Sequence, residues 1–142
     1  MTHDSAMDRL SAPDVRFARA CVATGALFML LAVILGAVGS HLPQARLPPH
    51  RLAAYQAGVL YHLVHALGLV AVGLLAWITP RTRWLVAAAV LFGAGIVGFS
   101  GAIYALTFGA PRALGMVAPI GGVAFMLGWV CVAVHVMPAD TG

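Results

Sequence analysis

The sequence predicts an all-α integral membrane protein, a four-helix bundle running up, down, up and down. Three observations predict it. The chain of 142 residues is 62% hydrophobic, with a mean hydropathy of +0.98. Only 8% of it is charged, where a soluble domain carries roughly 25%, so its surface is suited to lipid rather than water. Its apolar residues form four continuous runs separated by short proline-, glycine- and arginine-bearing turns, not the alternating pattern of a β-barrel.

Residues 1–16 read as a polar tail, 17–137 as one membrane domain and 138–142 as a second polar tail. Ser11, Pro13 and Asp14 make a helix start: a capping hydroxyl, a proline near the first turn and an acid at the positive dipole end. The first span is expected over 17–40. Arg16 and Arg19 ahead of an apolar run, with Ala37-Val38-Gly39 as a mock cleavage site, imitate a signal peptide. The run over 20–39 exceeds the ~7–15-residue core of such signals and is read as an uncleaved span.

Residues 41–51 form the first loop, because Pro43, Pro48 and Pro49 cannot continue a helix. The second span covers 52–78 and ends at Thr79-Pro80-Arg81-Thr82-Arg83. The third covers 84–108, Gly109-Ala110-Pro111-Arg112 turns the chain, and the fourth covers 113–137. At roughly 1.5 Å per residue each span exceeds a ~30 Å hydrocarbon layer. Turns this short make sequential helices antiparallel neighbours.

The formal charge is +4, and all eight basic residues are arginine. The acids are Asp4, Asp8, Asp14 and Asp140, so residues 15–139 contain no carboxylate. That excludes paired-carboxylate catalysis, a serine triad and an acidic proton relay within the membrane, and no catalytic set is assigned. The arginines are scattered over tails and turns rather than gathered in a stripe, which speaks against a nucleic-acid partner despite a pI near 9.8. They read instead as topology determinants and headgroup contacts. Arg9, Arg16, Arg19, Arg81 and Arg83 outnumber Arg46, Arg51 and Arg112, a bias that favours both termini on the cytoplasmic side. Trp77 and Trp84 flank the second turn as interfacial anchors. Cys21 and Cys131 lack metal-ligand spacing and read as small buried hydrophobes.

Membrane helices approach closely only where side chains are small. The third span offers Gly93, Gly95, Gly98 and Gly101, with Ala94 and Gly98 four apart. The fourth offers Gly115, Ala118, Gly121, Gly122 and Gly128, with Ala118 and Gly122 four apart. Pro119, about one turn into its span, either starts the helix or breaks it to free carbonyls for a cavity.

The second span carries the polar groups. Tyr55 and His62, seven apart, share one face; His65 lies about 60° round from His62, and Tyr61 and His65 are neighbours. Gly58, between Tyr55 and His62, leaves room for another helix, while Gln56 points elsewhere. An unpaired polar group in hydrocarbon costs several kcal/mol, so both histidines should face the interior. Their candidate partners are Ser100 and Tyr104 on the third span, and Ser40 and His41 at the end of the first. Four readings stand open for this face: hydrogen bonding between helices, proton-linked or small-solute transport, a haem or metal site, and a quinone or lipid site. Without an intramembrane acid or a second deep histidine on another helix, no cofactor or metal is assigned. The reading adopted is a small accessory or interaction protein, with the bilayer and other membrane proteins or a second copy as partners.

Five segments appear in an ordered series: Gly36-Ala37-Val38-Gly39-Ser40-His41; Tyr55-Gln56-Ala57; Tyr61-His62-Leu63-Val64-His65-Ala66-Leu67; Phe99-Ser100-Gly101-Ala102-Ile103-Tyr104; and Pro119-Ile120-Gly121-Gly122-Val123-Ala124-Phe125-Met126-Leu127-Gly128-Trp129. In order and spacing, over about residues 17–136, the chain resembles the small bacterial membrane-protein family called domain of unknown function 423, itself similar to the eukaryotic transmembrane protein 256. It departs from that pattern at Ala118, where a threonine is expected, and over Ala105-Leu106-Thr107-Phe108-Gly109, where the order is shuffled. The resemblance implies a four-span inner-membrane protein and brings no activity, substrate or cofactor with it.

Overall fold

The computed structural model describes residues 14–41, 48–80 and 83–137. They form four helices, each long and apolar enough to cross a membrane: α1 (Val15–Ser40), α2 (Pro49–Ile78), α3 (Arg83–Thr107) and α4 (Arg112–Val136). There is no strand among the described residues.

The helix ends follow local chemistry. Asp14 caps α1, its Oδ1 accepting from the Phe17 amide at 3.0 Å. Ser11 and Pro13, the other two parts of the expected start, lie outside the described residues. Helix α2 begins at Pro49, not at 52, so Pro49, His50 and Arg51 form its first turn rather than a loop. Proline is tolerated there because the amide it lacks would have no intrahelical acceptor. At the other end the Thr79 hydroxyl and amide both donate to Leu75 O, at 2.7 and 2.9 Å, before Pro80.

The α3–α4 turn closes with Gly109 N–H donating to Leu106 O at 3.3 Å and Ala110 N–H to Ala105 O at 2.9 Å. Gly109 takes φ +98°, a left-handed conformation open to glycine without a side-chain clash. Pro111 leads into a tight 3₁₀ turn, Arg112–Met116, and the α-helical part of α4 runs Val117–Val136. Pro119 is the third residue of that part, where its missing amide forfeits little. It starts the helix rather than breaking it.

Helix α1 lies along α2, α3 lies along α4, and α2 meets α3 to join the two hairpins. Close approach is made by glycines. A Cβ at Gly25 would sit 2.9 Å from Ala66 O, and one at Gly73 would sit 2.8 Å from Ala18 O. These two positions bring the backbones of α1 and α2 together in antiparallel register. On the other hairpin, a Cβ at Gly121 would lie 2.8 Å from the Gly98 carbonyl carbon and 2.9 Å from Phe99 Cα. That contact falls on a widened π-helical turn of α3, Ile96–Gly101.

Not every expected small residue takes part. Gly93 has no neighbour within 4 Å of a built Cβ, and Ala94 is exposed. Gly95 and Gly98, three apart and so on one side of the helix, are the α3 glycines that meet Gly121. Cys21 and Cys131 are buried, packed in a core with Leu69, Leu85, Phe92 and Phe125. Leu27, Leu30, Leu67, Val97, Ile120 and Met126 point outward, as a lipid-solvated surface requires.

Gly73→Val should push α1 away from α2 and lower stability by about 1–3 kcal/mol, the usual cost of overpacking. Gly93→Ala should leave stability unchanged or raise it. Thermal unfolding in a mild detergent checks both; equal effects at the two positions would contradict the close α1–α2 contact.

Candidate functional site

The polar groups of α2 separate into two clusters, because 100° of rotation per residue sends His62 and His65 toward different neighbours. The first lies between α1, α2 and α3. Tyr55 is fully buried, and its hydroxyl donates to Leu35 O of α1 at 2.6 Å. Gly39 makes this possible: its missing side chain is the space the Tyr55 ring occupies. The ring also packs on Tyr104, centroids 5.3 Å apart, and edge-on to Phe108 at 6.3 Å.

His62 is 1% exposed, and its Nδ1 shares a hydrogen bond of 3.3 Å with the Tyr104 hydroxyl. Phe28 of α1 meets the same imidazole edge-on at 5.8 Å. Gly58 admits α3 here, since a Cβ on it would come 3.1 Å from Ile103 Cγ2. Two buried polar atoms have no hydrogen-bond partner among the described residues, His62 Nε2 and Ser100 Oγ. Such a group costs about 1–3 kcal/mol. Ser100 is 0% exposed and lies in the widened turn of α3, so the interior is least self-sufficient where the helix is least regular.

The second cluster joins α2 to α4. His65 is 4% exposed, and its Nδ1–H donates to Tyr61 O, one turn back in its own helix, at 2.7 Å. Its ring stacks on Phe125, with centroids 3.5 Å apart and planes 11° apart. Phe92 and Trp129 stand around it at 5.5 and 6.1 Å, and Tyr61 lies parallel at 5.9 Å. His65 therefore does not belong with Ser100 and Tyr104, as one continuous polar face would require. Tyr61, 45% exposed, and Trp129, 42% exposed, form the rim of a lateral groove of about 400 Å³. His65, Gly122, Phe125 and Met126 line it.

The remaining candidates fall outside both clusters. His41 is exposed at the end of α1, and Ser40 donates its hydroxyl to Ala37 O at 2.7 Å within its own helix. Neither reaches the histidines. Gln56 and Pro119 are exposed, while Gly121 is buried against α3. His135, near the end of α4, meets the end of α2, its Nε2 donating to Thr79 Oγ1 at 3.0 Å. The residues that sequence reasoning passed over are aromatic: Phe28, Phe92 and Phe125. Phe125 stands in one of the ordered segments, but an apolar ring in an apolar helix carries no signal of its own.

The family model described as "Protein of unknown function (DUF423)" matches residues 35–122. The UPF0382 membrane protein YwdK of Bacillus subtilis (strain 168) is 42% identical over 110 residues, covering 78% of this chain and 89% of that protein. UPF0382 membrane protein SAB0533 of Staphylococcus aureus (strain bovine RF122 / ET3-1) is 36% identical over 107 residues, 75% of this chain and 85% of its own. UPF0382 membrane protein SERP0230 of Staphylococcus epidermidis is 36% identical over 111 residues, with 78% and 88% covered. No solved structure matches.

Tyr55→Phe should lower stability by about 1 kcal/mol, the net worth of one hydrogen bond. A double-mutant cycle of His62→Ala and Tyr104→Phe should give a coupling of roughly 0.6 kcal/mol and no more than about 1.7. Denaturant or thermal unfolding in detergent measures both, and a coupling of zero would remove the α2–α3 clasp.

Proposed function

The chain belongs to the DUF423 family, whose relatives are membrane proteins of bacteria, and we propose that it is a small non-enzymatic accessory protein of the inner membrane. Its helices are tied to one another through their polar groups, and it acts through its surfaces rather than through a path across its centre. One observation carries this reading: the hydroxyl of Tyr55 and an imidazole nitrogen of His62 are spent on neighbouring helices, at Leu35 O and Tyr104. A polar side chain clasped between helices stabilises their association and is withdrawn from solute contact. His65 is likewise bonded to its own helix and stacked between aromatic rings.

Both termini face the cytoplasm in this reading. The Ala18–Gly73 contact places the start of α1 beside the end of α2, and Arg83 begins α3. Arg16, Arg19 and Arg83 thus gather at one end, and positive charge is retained on the cytoplasmic side.

The lateral groove favours a second reading, a membrane amphiphile such as a quinone held between α2 and α4. It opens sideways, it is mostly apolar, and aromatic side chains suit a flat ring. With His65 Nδ1–H committed to Tyr61 O, Nε2 of the neutral ring is an acceptor and is left to meet a hydroxyl, such as that of a quinol.

Extraction in native lipid discs followed by mass spectrometry should recover a second chain in stoichiometric amount. Vesicles containing the protein should be no leakier to protons or small solutes than empty ones. A flux that vanishes in a folded His65→Leu variant would replace the accessory reading with transport, and a co-purifying quinone lost in the same variant would favour the groove. A C-terminal green fluorescent fusion should fluoresce while a C-terminal alkaline phosphatase fusion stays inactive; the reverse pattern would invert the topology.

A further inference from the structure

At the end of the bundle opposite Asp14, a recess of about 420 Å³ lies between the first turn of α2 and the α3–α4 turn. His50 and Arg51 come from α2, and Arg112 comes from the start of α4. Ala54, Ile103 and Leu106 form an apolar wall. Sixty residues of sequence separate the two arginines, and the left-handed Gly109 turn carries Arg112 back to the recess.

Among the described residues this charge has no carboxylate beside it. Residues 15–139 contain no carboxylate, and the one described acid, Asp14, caps α1 at the far end. Neither Arg51 nor Arg112 has an ion pair among the described residues. The positive end of the α2 dipole opens on the same space and adds to the field. Two guanidinium groups at the membrane–water boundary, each with a planar fork of donors, match the oxygens of a phosphate ester. The apolar wall beside them suits the glycerol and upper acyl portion of a lipid, which a free anion lacks.

We infer that this recess is a binding site for the phosphate-bearing headgroup of an anionic phospholipid, held by Arg51 and Arg112 with His50 at its mouth. It is separate from the histidine clusters and from the lateral groove, and it stands whether or not the accessory reading does.

The test uses the full-length protein in a neutral detergent, titrated with phosphatidylglycerol, phosphatidylcholine or inorganic phosphate and followed by thermal unfolding and native mass spectrometry. Phosphatidylglycerol should raise the melting temperature and remain bound, and phosphatidylcholine should do neither. Arg51→Gln with Arg112→Gln should raise the half-saturating phosphatidylglycerol concentration roughly thirtyfold while the lipid-free melting temperature holds. The Arg51→Lys, Arg112→Lys pair keeps the charge and should retain binding more weakly. Equal stabilisation by phosphatidylcholine, or an unchanged titration in the double glutamine variant, would overturn the site. Stabilisation by inorganic phosphate alone, with no further gain from lipid, would assign the recess to a free anion and overturn the lipid headgroup as its occupant.

Discussion

Gly25 and Gly73 set the distance between α1 and α2, and much of the remaining structure depends on that distance. Lipid tails are as apolar as leucine, so two membrane helices gain little by hiding apolar surface from each other. What holds them is dispersion between closely fitted surfaces and the few hydrogen bonds that close approach permits. With the backbones this near, the Tyr55 hydroxyl reaches a main-chain carbonyl of α1, and Gly39 gives its ring a place to lie. Gly121 does the same for α3 and α4, against the widened turn that contains Ser100.

The polar groups then divide according to which neighbour each can reach. Tyr55 and His62 engage α1 and α3 toward the end where α2 begins, whereas His65 turns into an aromatic enclosure shared with α3 and α4. His135 and Thr79 tie the C-terminal ends of α2 and α4 together. These clasps use hydrogen bonds where a soluble bundle would use a larger apolar core, since in hydrocarbon an unsatisfied donor is costlier than a missing apolar contact.

Function in this reading lies at the periphery. The centre is occupied by rings and clasps, while the two recesses described open sideways to lipid or at the headgroup level. An amphiphile in the groove and a phosphate at the arginines would contact different faces of the protein and need not compete.

Much was legible in the sequence for a physical reason: the solvent. Lipid demands long continuous apolar runs, and charge is tolerated only at their ends, so four spans and their short turns follow from composition and spacing alone. Burial of Tyr55, His62 and His65 follows from the same cost of exposing a polar group to hydrocarbon. What the sequence could not decide is which helix each group meets. Glycines occur on several sides of every span, and only packing separates Gly95 and Gly98, which face Gly121, from Gly93, which faces open space. The split of one polar stripe into two clusters, the enclosure of His65 by Phe92 and Phe125, and the convergence of Arg51 with Arg112 all arise from helix rotation and tilt. Those are collective properties of four packed surfaces, and no single helix encodes them.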